Sequence, residues 1–474
     1  MYNNLLYDKT LVKCHPSARQ IALQQMEFYA FAHFTVNSFT DKEWGDGTEP
    51  ESVFDPTELN ADQWVDALKS AGVEGLILTC KHHDGFCLWP SAYTEHSVKN
   101  SPFRGGKGDL VKEVSDACKK GGIKFGVYLS PWDRNCKLYG SDAYNDYFCD
   151  QLTELLTNYG ELFTVWFDGA CGEGPNGKRQ VYDWDRYYAL IRKLQPDACI
   201  SISGPDVRWC GNEAGDTRPS EWSVLPTGFA DPDAVAEKSQ KSDSPVFREK
   251  KIHEMERDLG SREFLEGNTG LRWYPAETDT SIRPGWFYHA DEDGRVRSTD
   301  TLIDIWYRTV GGNSTLLLNI PPDRRGLFHE TDVQRLREMG EYIRKTFAEN
   351  LAANAVITAD HDDGYHLPEA LKTDSYDAYY KPFDGENQIT LTVKLEGKKQ
   401  ISHVVIKEHI PMSQRIEAFI IEVKEPDGSY REVFSGTTVG YKRIAKFDAV
   451  FTDEVRIRIT DSRVCPVLSF VGVY

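Results

Sequence analysis

The chain has 474 residues, 40% hydrophobic and 27% charged, enough for two or three domains around a large buried core. Its formal net charge of -19 disfavours non-specific binding to nucleic acid or to an anionic membrane surface. No apolar run approaches the roughly 20 residues of a membrane helix, and the N-terminal MYNNLLYDKT lacks the basic and apolar regions of a secretory signal. A soluble protein is expected, cytoplasmic, or periplasmic or secreted if a signal peptide has been removed.

From Glu27 to about Phe347 the chain reads as strand then helix, repeatedly. FYAFAHF precedes NADQWVDALKSAG, where Trp64, Ala67, Leu68 and Ala71 fall on one helix face. Asn60 or Asp62 can cap its start and Gly72 its end. GLILTC is the second strand and GDLVKEVSDACKKGG the next helix, ended by Gly121. KFGVYLS, LFTVWFDGA and ACISISG continue the strands, with helices at SDAYNDYFCDQLTELLTNYG and DWDRYYALIRKLQPD. Near-continuous apolar strands argue for burial on both faces, as in a parallel sheet under helices. Over this length the repeat predicts a (β/α)8-like TIM barrel. Neither GxGxxG nor GxxxxGK[ST] follows the first strand, which weakens a nucleotide-binding open sheet.

Between about Val207 and Thr299 the regularity fails, and the missing strands are expected there, one at GWFYH. The barrel is therefore expected to be imperfect. STLLLNI and HETDVQRLREMGEYIRKTF resume the pattern. After about Ala352 short, partly alternating β segments and a PDGS turn predict an antiparallel β-sandwich, read as a structural partner of the barrel. The expected division is 1–350 for the barrel and 351–474 for the sandwich.

In such barrels the catalytic groups come from several strand ends on one face. Here those are His33, His82, His83, Tyr128, Trp166, Asp168 and residues after Gly204. Trp166 shares a strand face with Asp168. An aromatic wall beside a carboxylate suits a sugar, whose C–H face packs on rings. Glycosidic hydrolysis needs two carboxyl groups, one ionised and one protonated. Asp168 suits the first role, with histidine and backbone donors favouring the anion. VRWCGNEAGDTRPSEW offers Glu213, Asp216 and Glu221 for the second, and Glu213 sits among aromatic and small residues that would raise its pKa. Trp132 and Asp133 line the pocket or cap a helix. The run from Arg248 to His253 reads as a solvated basic helix face.

AHFTVNSFTDKEWG, LILTCKHHDGFCLW, KFGVYLSPWD, VWFDGA and SIRPGWFYH, from about Phe28 to Asn319, resemble the α-L-fucosidases of glycoside hydrolase family 29. The resemblance implies Asp168, in the WFDG motif, as nucleophile of a retaining double displacement without metal or other cofactor. It implies a substrate-binding set of His33, Glu43, Trp44, His82, His83, Tyr128, Trp166, Arg208 and Trp286. RWCGNEAG is similar to the branch acting on α-1,3 and α-1,4 fucosyl linkages, which implies Glu213 as acid/base and a fucosylated oligosaccharide or glycan as partner. Trp286, Phe34 and the tryptophans Trp44 and Trp166 are the expected apolar patch for the 6-methyl group.

Two other readings compete. His33, His82, His83 and Asp168 could ligate a metal, but adjacent His82 and His83 point apart in a regular strand and no HxH pair is present. The ten cysteines include no CxxC, and Cys80 and Cys87, flanking the histidines, fit no common zinc spacing. A lectin-like protein would keep the aromatic residues but has no need of both acids.

Overall fold

The computed structural model describes residues 4–252 and 258–474. Eight strands form the first sheet: β1 (Phe28–Ala32), β2 (Gly75–Lys81), β3 (Lys124–Leu129), β4 (Thr164–Phe167), β5 (Cys199–Ile202), β6 (Arg208–Trp209), β7 (Ala276–Ser281) and β8 (Ser314–Asn319). Their order is β5-β4-β3-β2-β1-β8-β7-β6, with every neighbouring pair parallel. A parallel bridge between Ser201 and Val207 brings β6 back beside β5. The barrel is nearly closed and imperfect: β6 has two residues, and no helix connects β5 to β6. GWFYH holds no strand; the irregular stretch supplies β6 and β7 instead.

Six helices, α1 (Ala61–Ala71), α2 (Leu110–Gly121), α3 (Asp142–Asn158), α4 (Trp184–Leu194), α5 (Thr299–Thr309) and α6 (Glu330–Thr346), follow strands of this sheet. The Asn60 side chain caps α1 by accepting from the Gln63 N–H, and Gly72 stops it in the left-handed region at φ 83°. In α2 that left-handed stop is Gly122, and Gly121 is still helical. Side-chain alternation along β1 divides two cores. Ala30, Ala32 and Phe34 pack under the helices, whereas Tyr29 and Phe31 join Tyr128, Trp166 and Leu317 inside the barrel. Phe34 therefore faces away from the barrel mouth, against Phe54 and Trp64.

The C-terminal region forms an antiparallel sheet of β9 (Val356–Ala359), β10 (Ile389–Glu408), β11 (Ile416–Lys424), β12 (Tyr430–Gly436), β13 (Arg443–Ser462) and β14 (Leu468–Val473). β10 and β13 each run 20 residues, and their register breaks between Lys394 and Lys399. One half of β10 lies beside β9 and the other beside β14. The two long strands thus pass through both layers, enclosing Leu391 and Val393 with Val404, Ile406 and Val471. Val405, Ile444 and Phe470 join the barrel's helix-side core, so the sandwich packs directly on the barrel. Among the described residues no helix is long and apolar enough to cross a membrane.

Candidate active site

The ends of β1, β2, β4 and β7 and the loops after β6 and β7 converge on one pocket lined by His33, Glu43, Trp44, His82, His83, Trp166, Asp168, Glu213 and Trp286. Tyr128 stands behind Asp168, its hydroxyl donating to Oδ2 at 2.9 Å. Arg208 does not reach this pocket. It lines a neighbouring cavity, where its guanidinium pairs with Glu221 and donates to the Trp222 carbonyl at 3.2 Å.

Asp168 is the first residue after β4. Its Oδ1 accepts the Ala170 N–H at 2.8 Å. Burial raises its pKa above the usual aspartate value, while the Ala170 N–H, the Tyr128 hydroxyl and the Gly169 N–H work in the opposite direction. The histidines add little: His83 Nε2 stands 3.7 Å from Oδ2, and burial pushes His83 down to about 3, so it is neutral at ordinary pH. Gly169 matters because a Cβ there would come within 2.3 Å of Ser239 Oγ. The missing Cβ lets Val235 and Ser239 pack against the backbone beside Asp168.

Glu213 is presented by a loop that Asn212 shapes, its Oδ1 accepting the N–H groups of Ala214 at 3.0 Å and Asp216 at 3.1 Å. Gln240 Nε2 donates to both Glu213 oxygens at 2.8 Å, and Trp286 Nε1 donates to Oε2 at 2.9 Å. Burial pushes Glu213 up to about 7, with the charge of Asp168 adding to the rise and these hydrogen bonds opposing it. The two other acids of this loop are held elsewhere. Glu221 is buried between Arg208 and Arg218, which together keep its pKa low against burial, and Asp216 pairs with Arg308.

His33 is fixed by Asn319 at the end of β8, Nδ1 to Oδ1 at 2.8 Å. Burial pushes its pKa down to about 3. Lys81 is the last residue of β2, so His82 and His83 lie beyond the regular strand. Their rings are 4.1 Å apart and both face the pocket. The expectation that adjacency points them apart therefore fails. Ligand atoms of His82, His83 and Asp168 lie within 4.8 Å of one another, a spacing that could hold a metal ion. Glu43 clamps the Trp286 loop: Oε2 accepts the Trp286 N–H at 2.8 Å and Oε1 the Phe287 N–H at 3.0 Å. Gly285 permits this, since a Cβ there would meet Glu43 Oε1 at 2.5 Å.

Several pocket residues escaped the sequence reading. Phe31 supplies the apolar wall assigned to Phe34, its ring 4.9 Å from Trp166 and 6.4 Å from Trp286. The period-two pattern of FYAFAHF, with His33 pointing inward, was the available signal. Gln240 had none. Asp279, on β7, also lines the pocket. Two positions earlier Glu277 accepts from Trp166 Nε1 at 2.7 Å and from the Tyr29 hydroxyl; burial pushes it up to about 7. Trp132 and Asp133 do neither task expected of them. Trp132 packs on His83, and Asp133 pairs with Lys81 in the core. Of the basic run, Glu249, Lys250 and Lys251 are exposed but lie beyond a helix that ends at Arg248, and Arg248 is buried, donating to the Pro284 carbonyl at 3.0 Å and pairing with Asp243. His253 lies outside the described residues. All ten cysteines are free thiols.

The family model for alpha-L-fucosidase matches residues 19–349. Alpha-L-fucosidase 1 of Arabidopsis thaliana is 40% identical over 467 residues, spanning 97% of this chain and 87% of the relative. The Ruminococcus gnavus GH29 fucosidase in complex with fucose superposes with a TM-score of 0.83 at 29% identity, over 97% of this chain and 95% of that one. A glycoside hydrolase 29 family member from an unknown rumen bacterium has a TM-score of 0.79 at 37% identity, over 97% of this chain and 77% of its own.

Proposed function

We propose that this chain, which belongs to the alpha-L-fucosidase family, removes terminal α-1,3- or α-1,4-linked L-fucose from glycans with retention of configuration. Fucoside hydrolysis follows from the family; the linkage and the residue roles are our reading. One observation carries it: two desolvated carboxyl groups share one pocket, and Glu213 is pushed up to about 7. Asp168 accepts from Tyr128 and the Ala170 N–H, which hold an anion aimed at an anomeric carbon. Glu213 is desolvated and pushed up to about 7, so it keeps a proton for the leaving oxygen at mildly acidic pH.

In the first step Asp168 attacks the anomeric carbon while Glu213 gives its proton to the departing glycosidic oxygen. In the second Glu213, now ionised, takes a proton from water, which attacks the same carbon and releases Asp168. Neutral His33 and His83 offer ring nitrogens to sugar hydroxyls without placing a cation beside the nucleophile. Phe31, Trp166 and Trp286 offer apolar surface to the 6-methyl group. A galactoside 6-hydroxyl there would go unpartnered, at about 1–3 kcal/mol.

Digestion of linkage-defined fucosylated oligosaccharides, resolved product by product, tests the linkage. Asp168→Asn should lower kcat by more than about 1,000-fold on every fucoside. Glu213→Ala should cripple glycans with poor leaving groups yet largely spare activated aryl fucosides. Equal damage to both would remove Glu213 from the acid/base role. The spacing of His82, His83 and Asp168 supports a second reading, metal-assisted hydrolysis. Full activity after EDTA is expected; loss that a divalent cation restores would favour the metal.

A further inference from the structure

A cavity of about 530 Å³ adjoins the central pocket, within the range of roughly 300–1,000 Å³ usual for small-molecule sites. Trp209 lines both spaces. Gly211 and Asn212 line the cavity, while Glu213, next in the chain, lines the pocket. The segment from Trp209 to Glu213 is therefore a wall between the pocket and this cavity. The wall there is built for a ring to pack on. Trp209 lies 6.3 Å from Phe247 with the planes 15° apart, and Asp279 fixes its indole, accepting from Nε1 at 2.8 Å.

Among the described residues, the charged side chains that line the cavity are of one sign. Arg208, Arg218, Lys238, Lys250 and Lys251 line it, and no carboxylate does among the described residues. Glu221 lies between the two arginines from behind. The lysines have no such partner among the described residues, and all three are exposed at the rim. Lys238 holds its ammonium 5.3 Å from the centre of the Phe229 ring. In a chain of net charge -19 this rim opposes the overall field.

We infer that this cavity receives the acceptor portion of the substrate and that its lysine rim favours acceptors carrying an anionic group, a carboxylate or a sulfate ester. The inference rests on Glu213 as the acid of the proposed function. An acceptor sugar packs its C–H face on Trp209, as sugars do on aromatic rings, and its anion meets the ammonium groups at the rim. Without the rim, an acidic glycan would be repelled by the chain's net charge.

The test uses binding, so that turnover is not required. Calorimetry on the full-length Asp168→Asn chain compares three fucosylated glycans that differ only in the acceptor: neutral, carboxylated and sulfated. At about 20 mM salt, at least one acidic glycan should bind about 5–10-fold tighter than the neutral one, and the ratio should fall toward one near 0.5 M salt. Gain by one acid alone identifies the anion. In a Lys238→Gln, Lys250→Gln, Lys251→Gln background the ratio should drop to one or below, with thermal melting reporting the fold. Single Lys238→Gln should give an intermediate ratio and serves if the triple variant does not fold. Equal or weaker binding of both acidic glycans would overturn the inference. Failure of the unsubstituted chain to hydrolyse an aryl fucoside would instead overturn the proposed function, leaving the binding comparison to stand or fall by itself.

Discussion

Proton placement at two carboxyl groups sets the expected pH profile. In the proposed mechanism Asp168 works as an anion, and burial lifts it above the usual aspartate value, so activity should fall as pH drops through that raised pKa. Glu213, as the proposed acid, works protonated, so kcat/KM should fall as pH rises through about 7. The optimum is expected between them, on the mildly acidic side. Glu213→Gln should abolish the alkaline limb for an activated aryl substrate, because no titrating acid remains. Tyr128→Phe removes the hydroxyl that donates to Asp168 at 2.9 Å. The anion is then less stabilised, its pKa rises further, and the acid limb should move to higher pH, with lower activity below the optimum. An unmoved limb would assign the acid limb to another group. Asp168 and the histidines were legible because each terminates an apolar strand. Gln240 and Asp279 were not, since their importance lies in partners 27 and 70 residues away in sequence.

Among the elements, β2 and its continuation show how the scaffold holds the site. Lys81, fully buried at the strand's end, reaches Asp133 Oδ2 at 3.1 Å and Gln151 Oε1 at 2.9 Å. Its ammonium also lies 5.5 Å from the Tyr147 ring centre. Asp133 in turn accepts the N–H groups of Asn135 and Cys136, fixing the loop after β3. Removing one member of a buried pair strands the other charge, at about 3–5 kcal/mol. Lys81→Met should therefore shift the urea midpoint strongly while adding apolar volume of similar size, and Lys81→Met with Asp133→Asn should recover part of the loss. A stability loss below about 1 kcal/mol for the single variant would mean that the pair contributes little. The same stretch explains why the histidine pair departs from strand geometry: the strand ends at Lys81 and a turn closed by the Gly85 N–H and His82 carbonyl puts both imidazoles on one side. β7 was missed for a different reason. AETDTS is buried along its whole length yet mostly polar, so it carries neither an apolar run nor an alternation.

At the scale of the whole molecule, the sandwich is tied to the barrel by charge as well as by apolar packing. Glu27, which precedes β1, accepts from Lys442 at 2.7 Å, from Lys407 at 3.3 Å and from the Tyr441 hydroxyl at 2.9 Å. Burial alone would raise its pKa, but Lys442 and Lys407 outweigh that and bring it down to about 2. A folded pKa below the unfolded value means stability that is fully present above about pH 4.5 and is lost as pH falls toward 2. The pair of values corresponds to at most about 3 kcal/mol. Glu27→Gln should destabilise the chain at pH 7, and the difference from the unsubstituted chain should vanish near pH 2 in denaturant titrations. A difference constant across that range would show that the carboxylate's charge is not what joins the two parts.

Local physics was enough for the barrel's first five strands, the caps of α1 and the strand-end positions of Asp168, His33, His82 and His83. Apolar runs and 3.6-residue periodicity are written in neighbouring residues. Tertiary structure decided which acid of the 213–221 loop faces Asp168 and which ones belong to arginines, and it moved Arg208 out of the pocket and Phe31 into it. Those outcomes depend on desolvation and on charges brought together from distant segments, and no window of adjacent residues contains them.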